Sequence, residues 1–91
     1  MKELKGKCLI EIGGDSCASC LAVMPNCSAV AKSFNLNFVK LDVEEDEEQV
    51  KNFNIDRIPS IILWDEGKIL AQCSGYQPQE ILELWVEAKL G

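Results

Sequence analysis

The sequence predicts an α/β fold of order βαβαββα, with a central four-stranded mixed sheet flanked by helices. Three observations predict it. Strand-forming runs alternate with segments of helical period. The first two strands are separated by a helix-length segment, the crossover that parallel neighbours require. The last two are separated only by Asp65-Glu66-Gly67, a hairpin turn signal, and an amphipathic segment follows them.

The first strand is Cys8-Leu9-Ile10-Glu11-Ile12, rich in strand formers and ended by Gly13-Gly14. Asp15 and Ser16 offer capping side chains for a helix from about Cys17 to Phe34. Along it Cys20, Val23, Cys27, Val30 and Phe34 recur at three- and four-residue steps and form one apolar stripe. Pro25 lacks an amide proton and crowds the preceding turn, so a kink is expected there. Leu36 to Val43 is the second strand. The acidic run Glu44 to Glu48 is expected to open a short helix reaching about Phe53, its charge placed at the positive end of the dipole. Ser60 to Trp64 reads as an apolar central strand, and Lys68 to Ser74 as its hairpin partner, broken by Gly75. Pro78 suits a first helical position, and Ile81, Trp85 and Ala88 are expected to line the core face of the last helix.

Ninety-one residues, 47% hydrophobic and 26% charged, suit one globular domain spanning 1–91, with no linker or repeat. The net charge of −6 argues against nucleic acid, whose phosphates demand a basic surface, and against an anionic membrane. The apolar run after Lys7 is interrupted by Glu11 and too short for a secretory segment, and no window approaches a membrane span. The expectation is a cytoplasmic protein. Five cysteines, an odd number without a framework spacing, then read as catalytic, metal-bound or buried thiols.

Cys17-Ala18-Ser19-Cys20 carries the chemistry. It lies where a strand ends and a helix begins. Three-residue spacing in a first helical turn puts both sulfurs on one side, close enough to bridge. Cys17 would lie at the helix N-terminus, where unpaired amides and the dipole favour a thiolate, the attacking species in disulfide exchange. Cys20, one turn on, would resolve the mixed disulfide.

Here the chain resembles the thioredoxin family over almost its whole length. Pro25 stands five residues past Cys20, at the spacing of the family's helix proline. Glu11, six residues before Cys17, stands where the family has a buried aspartate. Val39-Lys40-Leu41-Asp42-Val43 is similar to the family's third strand, with Lys40 at the position of the lysine near that aspartate. Arg57-Ile58-Pro59-Ser60 resembles the cis-proline segment, and Gly67 and Gly75 match glycines of the hairpin and of the bend before the last helix. The resemblance implies a thioredoxin-like fold and a protein-disulfide reductase. Glu11 would accept the Cys20 proton with Lys40 as its partner, and Ile58, Pro59 and Gly75 would bind substrate. It implies no cofactor and no metal; the partners would be protein disulfides and a dithiol reductase, and the protein would act as a monomer.

The chain also departs from the family. It starts late, so the family's first strand and helix are not expected, leaving a core of glutaredoxin size. Ser16 replaces the usual tryptophan and Ala18-Ser19 the usual Gly-Pro. Two other readings stand beside the redox one: a metal or cluster carrier using Cys17, Cys20 and Cys27, weakened by the absence of histidine and of a second CxxC, and a non-catalytic adaptor of the same fold. Cys8 and Cys27 read as buried structural thiols, and the face of Cys73 is open.

Overall fold

A computed structural model describes residues 1–91. Its elements are β1 (Lys7–Gly13), α1 (Ala18–Ser33), β2 (Asn37–Asp42), α2 (Glu47–Val50), β3 (Ser60–Asp65), β4 (Lys68–Ser74) and α3 (Gln79–Leu90). The sheet runs β2-β1-β3-β4. β1 pairs parallel with β2 and antiparallel with β3, and β3 pairs antiparallel with β4. This is the expected mixed sheet in the expected element order.

β1 and β3 are central and covered on both faces, which is why both read as near-continuous apolar runs. Alternation along each strand sends its residues to two cores. Leu9, Ile61 and Leu63 join Val23, Cys27 and Val30 of α1 and Leu82 and Val86 of α3. On the other face Cys8, Ile10, Ile12, Leu41 and Ile62 pack with Val50 and Phe53. The stripe read on α1 is the buried face of that helix, with Phe34 half-buried at its end, and α1 passes through Pro25 as one helix.

Three local expectations are corrected. The short acidic helix begins at Glu47, not Glu44, and ends at Val50. The cause lies in two aspartates. The Asp42 carboxylate accepts the amides of Glu44 at 2.8 Å and Glu45 at 3.0 Å, and the Asp46 carboxylate accepts the amide of Asp42 at 2.8 Å. These bonds hold residues 42–46 in a turn that competes with helix. Pro78 precedes α3 rather than opening it, because its ψ of 150° is extended. The core face of α3 is carried by Leu82 and Val86, while Ile81 is 51% exposed, Ala88 is exposed and Trp85 is half-buried. The two candidate stripes differ by one residue, about 100° around the axis, and packing beside α1 selects the second.

Ahead of β1, Gln49 on α2 fastens the N-terminal segment. It accepts the Lys2 amide at 2.9 Å and donates to the Lys2 carbonyl at 2.7 Å. No helix is long and apolar enough to cross a membrane.

Candidate active site

Cys17 is the N-cap of α1, with extended backbone at φ −98° and ψ 105°. The turn before it is closed by its amide donating to the Gly14 carbonyl at 3.2 Å. Its Sγ accepts the Cys20 amide at 3.2 Å, so the sulfur takes the role that a serine or aspartate oxygen plays at other helix starts. Cys17 and Cys20 are joined in a disulfide with Cα atoms 5.2 Å apart. Cys17 is half-buried and Cys20 is fully buried. Ser19 Oγ lies 3.4 Å from Cys17 Sγ.

Strand register places one row of residues across the sheet: Lys40 of β2, Glu11 of β1, Ile61 of β3 and Cys73 of β4. Glu11 is 0% exposed, and neither carboxyl oxygen has a hydrogen-bond partner. Burial pushes its pKa up to about 7, against a smaller lowering by the Lys40 charge. Lys40 acts on Glu11 through space and forms no ion pair with it; the two salt bridges of the chain are Lys2–Asp46 and Lys51–Glu48.

Gly13 adjoins both groups. A Cβ placed on it would lie 2.8 Å from Cys20 Cβ, 2.9 Å from Cys20 Sγ and 3.3 Å from Glu11 Oε2. The strand backbone therefore touches Cys20 directly, beside the Glu11 carboxyl. In the sequence Gly13 marks a strand end, a glycine two residues past Glu11.

The peptide bond between Ile58 and Pro59 is cis. The Pro59 carbonyl accepts the Gly75 amide at 2.8 Å, and Gly75, at φ +88°, adopts a backbone that other residues rarely take. Ile58 reaches the loop before Cys17: a Cβ on Gly14 would lie 3.6 Å from Ile58 Cδ1. The proline segment and the dithiol loop are thus neighbours.

Of the remaining thiols, Cys8 and Cys27 are buried and Cys73 is half-buried. Burial raises the Cys8 pKa. It pushes Cys27 up to about 12, with smaller raising by Glu11 and Cys73, and Cys73 up to about 11. Cys27 is not gathered with the pair as a third ligand; no group of three or more Cys, Asp or Glu side chains is arranged to hold a metal ion.

The thioredoxin family model matches residues 1–88. The chain belongs to the thioredoxin family. It is 32% identical over 77 residues to a thioredoxin of Alicyclobacillus acidocaldarius, covering 82% of this chain and 73% of that one. It is 30% identical over 82 residues to thioredoxin H2 of Arabidopsis thaliana, covering 89% of this chain and spanning 62% of that protein's length. A mutant thioredoxin from Halobacterium salinarum NRC-1 superposes with a TM-score of 0.84 at 20% identity, over 96% of this chain and 77% of that one, and supports the thioredoxin-like fold. Family membership and the bonded Cys17–Cys20 pair together support thiol–disulfide oxidoreductase chemistry.

Proposed function

We propose that this thioredoxin-family chain is a protein-disulfide reductase and dithiol electron carrier. Cys17, as thiolate, attacks one sulfur of a substrate disulfide; that bond breaks, the other substrate sulfur leaves as thiolate, and a mixed disulfide forms on Cys17. Cys20 gives its proton to Glu11 and attacks Cys17. The Cys17–Cys20 bond forms, the Cys17–substrate bond breaks, and the second substrate thiolate takes up a proton. Two electrons pass to the substrate, and a dithiol reductase returns them to the Cys17–Cys20 disulfide.

The observation that carries this reading is the bonded pair at the start of α1 beside a buried carboxyl of pKa about 7. A base that is half ionised near neutrality both accepts and returns a proton readily. Lys40 adjusts that carboxyl by its charge. Beside the sulfurs, the backbone of Ile58 next to cis-Pro59, together with Gly75, receives an extended substrate segment. The reaction uses thiols alone, without a bound cofactor, and is read as that of a cytoplasmic monomer.

The test is reduction of a disulfide-bonded protein with dithiothreitol as electron donor. Wild type is expected to accelerate it, Cys17→Ser to abolish the acceleration, and Glu11→Gln to slow release of the mixed disulfide. Equal rates for wild type and Cys17→Ser would reject the reading.

A further inference from the structure

The buried face of α1 is held by apolar packing: Val23, Cys27 and Val30 meet Leu82 and Val86 of α3 and Leu9, Ile61 and Leu63 of the sheet. Such packing is non-directional, so by itself it does not set the helix against one particular loop. Asn26 adds the direction. Half-buried in the middle of α1, it makes the only side-chain hydrogen bonds that join this helix to another part of the chain. Its Nδ2 donates to the Gln77 carbonyl at 2.9 Å and to the Tyr76 hydroxyl at 3.2 Å. A carbonyl can only accept, so the amide nitrogen and not its oxygen must face Gln77. Asn26 directly follows Pro25, which lacks the N–H that would bond the Leu21 carbonyl. The tie thus grips α1 at the turn where its own hydrogen-bond ladder is interrupted. Asn26 also lies seven residues past Ser19, about two turns, and so shares the helix face of the hydroxyl beside Cys17.

Its partners follow Gly75 in the segment that leads from β4 to α3, which belongs to neither strand nor helix. The Gly75 amide fastens one side of that segment to the Pro59 carbonyl at 2.8 Å, and Gln77 Nε2 donates back to the Ser74 carbonyl at 3.4 Å. Asn26 fastens the other side. A bonded path therefore runs from the dithiol helix through Gln77 and Gly75 to cis-Pro59. Tyr76 is 49% exposed, yet its hydroxyl is held, so the ring stands beside Gly75 in one orientation.

We propose that Asn26 is a positioning residue for substrate docking: its side-chain amide ties the Gly75–Gln77 wall of the groove to the dithiol helix and sets the gap between that wall and Cys17. This rests on the reading that Ile58, Pro59 and Gly75 receive an extended substrate segment. A wall already held in place costs less ordering when a substrate chain docks, which speeds attack on disulfides that bring such a chain with them. A small disulfide that never reaches Gly75 gains nothing from the tie.

The experiment measures, by stopped flow, the second-order rate at which the reduced protein attacks insulin and the rate at which it attacks hydroxyethyl disulfide. Wild type, Asn26→Ala, Asn26→Asp and Ile58→Asp are compared by the ratio of the two rates. Asn26→Ala is expected to lower that ratio at least about fivefold, the size of one lost hydrogen bond. Asn26→Asp keeps the size of the side chain but has no N–H, and its carboxylate would face the Gln77 carbonyl, so the ratio should fall there too. A merely structural role would slow both reactions together and leave the ratio at the wild-type value, which overturns the inference. A wild-type ratio in the Asn26 variants, where Ile58→Asp lowers it, overturns this inference and spares the reading of the groove. A wild-type ratio in Ile58→Asp overturns the groove reading itself, and this one with it. Should Asn26→Ala fail to fold, Asn26→Asp decides in the same way. A further measurement needs no variant. In wild type the Asn26 side-chain amide protons are expected to exchange with water more slowly than those of exposed Asn54 by NMR, and equal exchange overturns the tie.

Discussion

Glu11 and Lys40 face each other in register on neighbouring parallel strands, yet the Glu11 carboxyl makes no hydrogen bond and no ion pair. Its pKa of about 7 in the fold, against an ordinary 4.5, makes the folded state the better proton binder between those values. Stability therefore falls as pH rises through that window, and the whole loss is present above the folded pKa. At about 1.4 kcal/mol per unit, the loss is on the order of 3 kcal/mol. Glu11→Leu is expected to remove this slope and to be more stable than wild type above about pH 7. Urea unfolding of both proteins at about pH 5 and about pH 8 measures it, and an unchanged slope in the variant would refute it. Asp42 and Asp46 work the other way. Backbone amides hold both carboxyls below the usual range, so their contribution is present above the unfolded value and lost as pH falls through the folded one.

The two cysteines of the pair are expected to differ in accessibility. Cys17 is half-buried at the head of α1, and Cys20 is fully covered. In the reduced protein at neutral pH, iodoacetamide should modify Cys17 first. Cys8 and Cys27 should resist, since both are buried and burial suppresses their thiolates, Cys27 most with a pKa near 12. Cys20→Ser should then trap substrate through Cys17. Peptide mapping by mass spectrometry reads out both results, and modification of Cys20 ahead of Cys17 would reverse the roles.

The strands and the dithiol were legible because their signals are local. Runs of strand formers mark β1 to β4, and Cys17-Ala18-Ser19-Cys20 marks the site by its spacing at a strand-to-helix junction. The helix limits were less so. Nothing in the acidic run announces that Asp42 captures the amides of Glu44 and Glu45 and delays the helix to Glu47. On α3, Ile81 and Leu82 are equally apolar, and only packing against α1 and the sheet decides that Leu82 is inside. Glu11 was legible as a carboxylate in an apolar strand, but its lack of any partner is a property of the assembled core. The contact at Gly13 joins β1 to α1 and is likewise invisible until the two meet.

Gln49 gives a stability prediction remote from the site. Its buried amide both accepts from and donates to the Lys2 backbone. Gln49→Glu keeps an acceptor and loses the donor, while Gln49→Ala loses both. Losses of about 1 kcal/mol and about 2 kcal/mol are expected, at roughly 1 kcal/mol for each hydrogen bond. Urea unfolding gives the order, and limited proteolysis should show earlier cleavage before residue 7 in both variants. Equal stability of Gln49→Ala and wild type would mean the clamp contributes nothing.

Ser19 decides the last prediction. Its hydroxyl, 3.4 Å from Cys17 Sγ, can donate to that sulfur. The bond strengthens when Cys17 becomes a thiolate, because an ionised acceptor binds a donor more tightly than a neutral one. The thiolate exists only in the reduced form, so the hydroxyl stabilises the reduced form. A more stable reduced form means a less negative potential. With the Ser19 amide proton, which a proline there would lack, as a second donor, the expected potential lies above thioredoxin's value of about −270 mV, in the range of about −200 to −260 mV. Ser19 is exposed, so water competes for the hydroxyl and its share is small, about 1 kcal/mol or roughly 20 mV. Ser19→Pro removes the hydroxyl and should move the potential downward by at least that amount. Equilibration of both proteins against a dithiothreitol or glutathione buffer measures the difference. An upward shift in Ser19→Pro would show that the hydroxyl favours the disulfide, contrary to the electrostatic argument.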